Sequence, residues 1–300
     1  MTTDTNGIIL LNKSAGLTSF KALGTLKKKL KEYSGAKVKV GHTGTLDSFA
    51  EGLLVVLAGR FTRLNPVFTA FDKSYEADII FGTETNTLDP AGDTIKTAEI
   101  PEYKTIESVL PSFQGAVRQR PPIFSAVHVN GERAYKKALN GTITELPERD
   151  VHIYNFEIID WTSPVLKCRI DCSKGTYIRS IARDLGRLSG SCAHLRALTR
   201  ISVGPFNLAD SIKAEDFNPS EHLIRGRGTF EKLGKSDALH FRIIETDVDG
   251  AAKLRQGVTI RDSFFKIPPK DNGSYAVFID DDFIAYIKYE NGKYSYHFVG

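Results

Sequence analysis

GHTGTLD, residues 41–47, forms a loop that presents a carboxylate between two apolar segments. Its two glycines suit a backbone that bends sharply or approaches a ligand closely. The loop lacks the G-x-x-x-x-G-K-[ST] pattern of a phosphate-binding P-loop. A loop aspartate more often bonds nearby backbone N–H groups than acts as a nucleophile. Asp47 is therefore a candidate catalytic residue that needs support from the rest of the chain.

The segments around this loop predict buried strands and one amphipathic helix. Residues 7–11, 37–40 and 53–57 are expected to be short strands. Ser19 is expected to cap a helix that has leucines on one face and lysines on the other. Residues 74–81 alternate apolar and polar side chains, which is typical of a strand. The carboxylate loop thus lies among core elements.

Further strands and a helix follow. Residues 151–161 and 165–172 are predicted strands, and residues 176–188 are a predicted helix. Residues 117–150, with a hairpin turn at Asn130-Gly131, read as an appendage to the sheet. The strand that follows this helix is expected to alternate. Its buried residues would be Leu195, Ala197, Thr199, Ile201 and Val203. Its other face would carry Arg196, Leu198, Arg200 and Ser202.

A polar, weakly periodic stretch at residues 220–240 predicts a domain boundary. Residues 1–235 are then a large catalytic domain, and residues 236–300 a small β-rich domain with a hairpin turn at Asn291-Gly292. Because strands and helices do not alternate regularly, an α+β fold is expected, with a mixed, largely antiparallel central sheet flanked by helices.

Composition excludes several classes of protein. Hydrophobic residues make up 41% and charged residues 25% of the 300 residues, which is typical of a folded globular chain and not of a disordered or fibrous one. No segment approaches the ~18 apolar residues of a membrane helix, and the start lacks a basic signal region, so a cytoplasmic protein is expected. Cys168, Cys172 and Cys192 lack C-x-x-C spacing and predict neither disulfides nor a metal site.

Positive charge is concentrated in one region, although the formal net charge is only +4. Asp171 and Asp184 are the acidic residues there. The basic residues between positions 167 and 200 are Lys167, Arg169, Lys174, Arg179, Arg183, Arg187, Arg196 and Arg200. Such a cluster can neutralise several phosphates of a nucleic acid, or it can be a solvated face. Charge alone leaves both interpretations open.

Six blocks, in order, resemble the bacterial tRNA pseudouridine(55) synthases, the TruB family: GHTGTLD, EGLLVVLAGRFTRL, KSYEADIIFG, PPIFSAVHVNGERAY, CSKGTYIRSIARDLG and LRALTRISVGPF. They cover most of residues 7–210. The resemblance implies a pseudouridine synthase fold and the isomerisation of uridine-55 in the T loop of tRNA after that base is flipped out. It implies no cofactor, no metal and no obligate protein partner, and a monomer is expected. The appendage at 117–150 resembles an insertion that grips RNA, and residues 236–300 stand where the family has a small domain often related to the PUA fold.

The resemblance also assigns three catalytic residues. Asp47 matches the catalytic aspartate, which attacks either the uracil ring or the ribose anomeric carbon. Tyr75 matches the tyrosine that stacks on the target uracil, although it could equally be a core aromatic residue of its strand. Arg179 matches the arginine that pairs with the aspartate and would hold that carboxylate ionised and oriented.

Seven further positions are expected to bind substrate. Leu198 matches the apolar wall of the uracil pocket, and His42 matches the histidine that fills the base stack after flipping. The others are carried over as RNA contacts or as a family acidic position: Arg63, Lys174, Asp89, Arg196 and Arg200. A leucine between two arginines suits a base pocket beside a phosphate track.

The sequence departs from the family pattern near these sites. Ser48-Phe49 stands where Pro-Leu is usual, and Glu51 and Asn86 replace a common Thr and a common Asp. Phe124 and His128 replace a Tyr and a Lys. The lost proline lies beside the candidate nucleophile, so its loop is the place where a change of backbone position is expected.

Two other functions compete with this assignment. The chain could be a tRNA-binding folding chaperone whose turnover is incidental, but retention of Asp47, Tyr75 and Arg179 argues against an inactive enzyme. It could also be a different enzyme that uses Asp47 on a sugar or acyl substrate. Glycoside hydrolysis would need a second carboxylic acid near Asp47, and the basic cluster would then have no purpose.

Overall fold

The computed structural model describes residues 4–125, 128–129, 132–134, 145–234 and 241–299. The strands in these ranges are β1 (Gly7–Lys13), β2 (Val40–His42), β3 (Glu51–Ala58), β4 (Lys73–Phe81), β5 (Thr83–Thr85), β6 (Thr94–Thr97), β7 (Gly115–Gln119), β8 (His128–Val129), β9 (Glu132–Arg133), β10 (Arg149–Thr162), β11 (Val165–Cys172), β12 (Ala193–Val203), β13 (Phe206–Asn207), β14 (Phe241–Glu245), β15 (Gly273–Ile279), β16 (Asp282–Glu290) and β17 (Lys293–Val299). The α-helices are α1 (Ser19–Ser34), α2 (Asn65–Thr69), α3 (Tyr103–Val109), α4 (Ile178–Leu188), α5 (Pro219–His222), α6 (Arg227–Gly234) and α7 (Val248–Arg255). Short 3₁₀ helices lie at Gly59–Leu64, Leu110–Phe113, Leu208–Asp210 and Asp262–Phe264.

The central sheet has the strand order β1-β3-β12-β4-β11-β10-β7, with β2 paired to β3 and β13 paired to β12. β12 and β3 run parallel, and the other neighbouring pairs of this sheet run antiparallel. The predicted α+β fold with a mixed, largely antiparallel sheet is therefore confirmed. The predicted strand at 37–40 is shifted, since β2 begins at Val40 and already includes the first residues of the carboxylate loop.

β3 is apolar from Leu53 to Ala58 because both faces of the sheet are covered there. Leu54 and Val56 pack into the core beneath α1 and α4, whereas Leu53 and Val55 pack into a second core. That second core is rich in phenylalanine and also contains Phe278 and other residues of the C-terminal sheet. Burial on two faces explains the uninterrupted apolar run, which strict alternation would not produce.

The C-terminal strands form a separate sheet in the order β14-β15-β16-β17. This confirms the predicted β-rich character and the hairpin at Asn291-Gly292. The side chains that join the two sheets include Phe61, Phe230 and Phe283, with the rings of Phe230 and Phe283 stacked at 4.5 Å between centroids. The predicted division at residue 235 falls in residues 235–240, outside the described residues, and stays a prediction.

Helix α1 begins differently from the sequence prediction. Thr18, not Ser19, is the N-cap, and its side chain accepts a hydrogen bond from the Lys21 N–H. Ser19 is buried and directed at the carboxylate loop, where its Oγ donates to the Leu46 carbonyl at 2.9 Å and accepts from the Leu46 N–H at 2.8 Å. Because both residue types are good caps, the local sequence could not show which one points inward.

The predicted alternation along β12 is wrong in its second half. The register against β4 skips Arg196 and Ile201, so each position is an irregularity at which β12 gains one residue. As a result Leu198 and Arg200 are buried, while Ala197 is exposed. A bulge reverses the side-chain direction, which a two-residue period cannot anticipate.

Gly52 allows β12 to join β3 next to Arg200. Its φ is +102°, and a Cβ there would lie 2.5 Å from the Arg200 carbonyl oxygen. Any other residue would separate the two strands at the point where they pair in parallel.

The appendage is described only in part. β8 pairs antiparallel with β9, which confirms a hairpin between residues 128 and 133. The turn at Asn130-Gly131 lies outside the described residues. Among the described helices, none has the length and apolar composition of a membrane span.

Candidate active site

One cavity of about 270 Å³ brings the three predicted catalytic residues together. The loop after β2 contributes Asp47, β4 contributes Tyr75 and the first turn of α4 contributes Arg179. β12 contributes Leu198 and Arg200 to the same wall. These elements are far apart in sequence. The pairing of β4 with β12 brings Tyr75 beside Leu198 and Arg200. The ion pair of Asp47 with Arg179 joins the loop to α4.

The loop that carries Asp47 is held from below by β1 and α1. The Lys13 Nζ donates to the carbonyls of Ala50 at 2.5 Å and Leu17 at 2.7 Å. Ser19 holds Leu46 by the two hydrogen bonds given above. Burial lowers the pKa of Lys13 to about 8, and nearby Asp47 opposes that shift. The backbone on both sides of Asp47 is thus fixed without the proline that is usual at position 48 in the family.

Asp47 and Arg179 form a two-point ion pair. The Arg179 Nε lies 2.9 Å from Oδ2 of Asp47, and Nη2 donates to Oδ1 at 3.2 Å. The Arg179 side chain is 5% exposed, whereas the Asp47 side chain is 35% exposed. The arginine therefore backs the carboxylate, whose free edge faces the cavity.

Arg179 is itself fixed by groups on its far side. Nη1 donates to the carbonyl of Thr87 at 2.9 Å and to Oδ2 of Asp89 at 3.3 Å. Nη2 also donates to the carbonyl of Phe124 at 3.1 Å. A buried guanidinium with this many acceptors has little freedom to rotate, so the orientation of Asp47 is preset.

Asp89 lies behind Arg179 and does not line the cavity. Its Oδ1 accepts from Thr87 Oγ1 at 2.7 Å and from the Ala91 N–H at 3.0 Å. This placement favours a positioning role over the substrate contact that was predicted for it. Arg179 thus lies between two carboxylates, those of Asp47 and Asp89.

Burial raises the pKa of the Asp47 carboxyl, while Arg179 lowers it and Asp89 raises it. The guanidinium between the two carboxylates, helped by nearby Lys13, thus favours the ionised form of the partly buried Asp47. An ionised carboxylate is the form that can act as a nucleophile.

Tyr75 is buried and pairs with Arg200 across β4 and β12. Burial raises the pKa of its phenol, and the Arg200 guanidinium opposes that effect. Its hydroxyl is therefore protonated at neutral pH. It belongs to the same core cluster as Ala77 and Ile79, yet it also lines the cavity, so the core and pocket interpretations both describe part of its surface.

Arg200 was predicted to belong to a phosphate track, but its side chain is only 2% exposed. Its Nε donates to the carbonyl of Leu53 at 2.7 Å, and Nη2 to the carbonyl of Gly44 at 3.3 Å. It therefore braces the carboxylate loop from inside. Leu198, on the same buried face, also lines the cavity, and its role beside a uracil stays a prediction.

The other predicted binding residues lie outside this cavity. His42 ends β2, and burial lowers the pKa of its ring. Arg63 is exposed beside a different groove of about 490 Å³, and Lys174 is exposed next to the cavity residue Gly175. Arg196 lies on the opposite face of β12 and pairs with Asp78 at 2.7 Å.

Sequence reasoning missed four residues of the site. Lys73 and Arg149 line the cavity, and the Arg149 guanidinium stacks 4.6 Å from the Tyr177 ring centroid. Burial lowers the pKa of Lys73 to about 8. Tyr177 also lines the cavity, and Gln119 binds its backbone. Lys73 and Tyr177 lie within the KSY and GTYIR blocks of the resemblance, which is a signal that could have identified them. No local signal indicated Arg149 or Gln119.

The basic cluster at 167–200 is mostly paired within the protein. Of its members, Arg183 pairs with Asp184 at 2.7 Å and Arg187 with Glu84 at 2.7 Å. Ion pairs also involve Lys167, Arg169, Arg179 and Arg196. Within the described ranges, Lys174 is the one member that has neither an ion pair nor a buried guanidinium. Most of the cluster is therefore paired within the protein, and among its described members Lys174 keeps an exposed charge without an ion pair.

Comparison with known proteins agrees with this geometry. Residues 27–178 match the model of the TruB family pseudouridylate synthase N-terminal domain, and residues 179–235 match that of the tRNA pseudouridylate synthase B C-terminal domain. The chain belongs to the TruB family. The first of these two matches ends just before Arg179, so the ion pair of the site joins residues of both matched segments.

Two relatives within the TruB family show how far the similarity extends. The tRNA pseudouridine synthase B of Borreliella burgdorferi (strain ZS7) is 46% identical over 232 residues, which is 76% of this chain and 80% of the relative. That of Francisella philomiragia subsp. philomiragia is 34% identical over 291 residues, 96% of this chain and 92% of the relative. The similarity thus also includes the C-terminal sheet.

Solved structures carry the same TruB-like fold. A chain of a Cbf5-Nop10-Gar1 complex matches with a TM-score of 0.65 and 25% identity over 95% of this chain and 78% of that chain. A chain of an archaeal box H/ACA sRNP Nop10-Cbf5 complex matches with a TM-score of 0.66 and 21% identity over 98% of this chain and 86% of that chain. The pseudouridine synthase fold is therefore confirmed.

Proposed function

We propose that this chain isomerises uridine-55 in the T loop of tRNA to pseudouridine, with Asp47 as the nucleophile. The observation that carries the proposal is the Asp47–Arg179 ion pair, which opens onto a cavity walled by Tyr75 and Leu198. An oriented carboxylate beside an aromatic and an apolar wall suits a planar base and the sugar attached to it.

The reaction needs no external reagent. Asp47 supplies an electron pair for a covalent bond to the nucleoside, the bond between C1′ and N1 breaks, and C1′ bonds to C5. The bond to Asp47 then breaks, and its electron pair returns to the carboxylate. C5 loses its proton and N1 gains one, so the product has the composition of the substrate. The protonated Tyr75 phenol lies where it can stack on the uracil and take part in that proton transfer. We accordingly propose catalysis without cofactor or metal.

The size of the cavity implies that the target base leaves its stack. A volume of about 270 Å³ holds one nucleotide base and not a folded loop, so the uridine is flipped into it. Leu198 and Tyr75 contact the flipped base in this proposal. His42, whose ring is held neutral by burial, fills the space that the base leaves.

Exposed lysines with few acidic partners indicate where the RNA backbone binds in this proposal. The segment from α1 to β2 has seven lysines and one acidic residue, Glu32. Lys21, Lys28, Lys31, Lys37 and Lys39 are exposed, and we name them the α1–β2 lysine face. Among described residues, their one ion pair is Lys28 with Glu32 at 4.0 Å. Both ends of this segment reach the carboxylate loop, one through Ser19 and the other through His42. RNA bound to the lysine face therefore lies next to the cavity.

Replacing Lys21, Lys28 and Lys31 together with glutamine should weaken RNA binding mainly through salt dependence. Each lost phosphate contact is expected to lower the slope of log Kd against log salt by about 0.9. Filter binding of tRNA between low and moderate salt measures this slope. The matched control replaces the same lysines with arginine and should keep the wild-type slope. An unchanged slope in the glutamine variant would remove this surface from the RNA path.

Primer extension after carbodiimide treatment tests the proposed activity itself. A T-arm hairpin treated with the protein should acquire a stop at the position of uridine-55, with no metal or cofactor added. A hairpin with cytidine at that position serves as the control. RNA binding without a stop would exclude the enzyme and favour a binding protein.

The remaining parts of the proposal concern the whole chain. We propose a cytoplasmic monomer in which residues 1–235 form the catalytic domain and residues 236–300 a PUA-like domain. The insertion at 117–150 grips the T arm, and its fixed base at Phe124 contacts Arg179 directly. Arg63 and Lys174 lie outside the cavity and contact phosphates on either side of the flipped nucleotide.

A further inference from the structure

Gln119 is buried at the end of β7, where the chain leaves the central sheet for the insertion. Its side-chain amide binds both backbone groups of Tyr177. Oε1 accepts from the Tyr177 N–H at 2.8 Å, and Nε2 donates to the Tyr177 carbonyl at 3.1 Å. One side chain thus pairs with a distant residue as a neighbouring strand would.

This contact is placed at the start of α4. Tyr177 is the N-cap residue, and its own side chain makes no capping hydrogen bond. A tyrosine is a poor N-cap, so the first turn is not fixed by its own sequence. Arg179 lies in that first turn, two residues after Tyr177. The position of the guanidinium that holds Asp47 therefore depends on what fixes Tyr177.

Other bonds tie the same turn to residues that follow Gln119. Ser180 Oγ donates to the Arg120 carbonyl at 2.8 Å, and Arg183 Nη2 donates to that carbonyl at 3.0 Å. Arg179 itself donates to the Phe124 carbonyl. In each of these bonds, a side chain of the helix donates to a backbone carbonyl, and such a single bond allows a small shift of the helix. The Gln119 amide instead donates to Tyr177 and accepts from it at the same time, which fixes the position of that residue. Gln119 thus holds both the N–H and the carbonyl of the residue at which α4 starts.

We propose that Gln119 is a positioning residue of the active site, which sets the place of Tyr177 and Arg179 and thereby the ion pair with Asp47. Only the kinetic test of this inference rests on the proposed function. Because Gln119 is also where the insertion leaves the sheet, the same amide joins the RNA-gripping segment to the catalytic pair.

The test replaces Gln119 with methionine, which has a similar length and cannot form either hydrogen bond. We expect kcat on the T-arm hairpin to fall on the order of tenfold to a hundredfold, because two buried backbone groups lose their partners and the helix start shifts. RNA affinity should stay within about twofold, since Gln119 is buried and touches no RNA. Gln114→Met, at an exposed position just before β7, is the matched control and should behave as wild type.

The pH profile separates positioning from general destabilisation. If Arg179 withdraws from Asp47, the pKa of the carboxyl rises further, so less of it is ionised at a given pH. The loss of kcat should then be larger at pH 6 than at pH 8, whereas a purely structural role would lower kcat by the same factor at both. Gln119→Glu keeps the acceptor for the Tyr177 N–H and should retain more activity than Gln119→Met.

A measurement without RNA keeps the inference separate from the proposed function. Carbon-13 NMR titration of the aspartate carboxyls should show a higher pKa for Asp47 in Gln119→Met than in the wild type, with Gln114→Met unchanged. An equal pKa, together with a loss of kcat that does not vary with pH, would overturn the positioning role. Wild-type inactivity on the hairpin would instead reject the proposed function and leave the titration result standing.

Discussion

Asp47→Asn is expected to abolish pseudouridine formation, with a loss in kcat of more than about 10⁴-fold. The amide has nearly the same shape as the carboxylate, so the cavity keeps its size, but only its oxygen can accept from Arg179 because its NH2 group is a donor. It lacks the charge and the electron pair that form the covalent intermediate. Single-turnover primer extension on a T-arm hairpin measures the loss.

Binding provides the internal check on this variant. Since Asp47 is one small group in a large RNA interface, the Kd for the hairpin should stay within about twofold of wild type. Ser48→Ala, at the exposed neighbouring position, is the matched control and should retain full activity. Substantial turnover by Asp47→Asn would move the nucleophile to another residue and overturn the proposed mechanism.

Arg179→Lys is expected to lower kcat by on the order of 10²- to 10³-fold, although positive charge is conserved. A lysine ammonium is a single point charge and cannot bind both oxygens of Asp47 while also donating to Thr87, Asp89 and Phe124. Asp47 then loses its orientation, and the pKa of its carboxyl rises because burial is less opposed. The acid side of the kcat profile should shift to higher pH.

Arg183→Lys is the matched control for that variant. Arg183 lies one turn further along α4, is also buried, and pairs with Asp184 and not with Asp47. Its replacement tests whether any arginine-to-lysine change in this helix impairs the enzyme. Equal losses in the two variants would show that the helix as a whole, and not the ion pair, is the sensitive element.

Charge shows why composition alone does not locate a nucleic-acid surface. The eight basic residues at 167–200 are evident in the sequence, but the tertiary structure gives most of them acidic or carbonyl partners. The lysines of α1 form an ordinary amphipathic pattern in the sequence, and the fold leaves Lys21, Lys28 and Lys31 exposed. Exposure and pairing decide which cations can bind RNA, and neither can be read from spacing along the chain.

The sequence by itself determined the family, the fold class and three catalytic candidates, Asp47, Tyr75 and Arg179, that meet in the cavity. It could do so because those blocks are local patterns, such as the glycine loop that carries Asp47 and the alternating strand that carries Tyr75. Only the tertiary structure decided that Ser19 holds the loop, that β12 bulges to bury Leu198 and Arg200, and that Gln119 fixes the helix of Arg179. Each of these depends on a contact between residues far apart in the chain, where the local sequence is equally compatible with another orientation of the side chain.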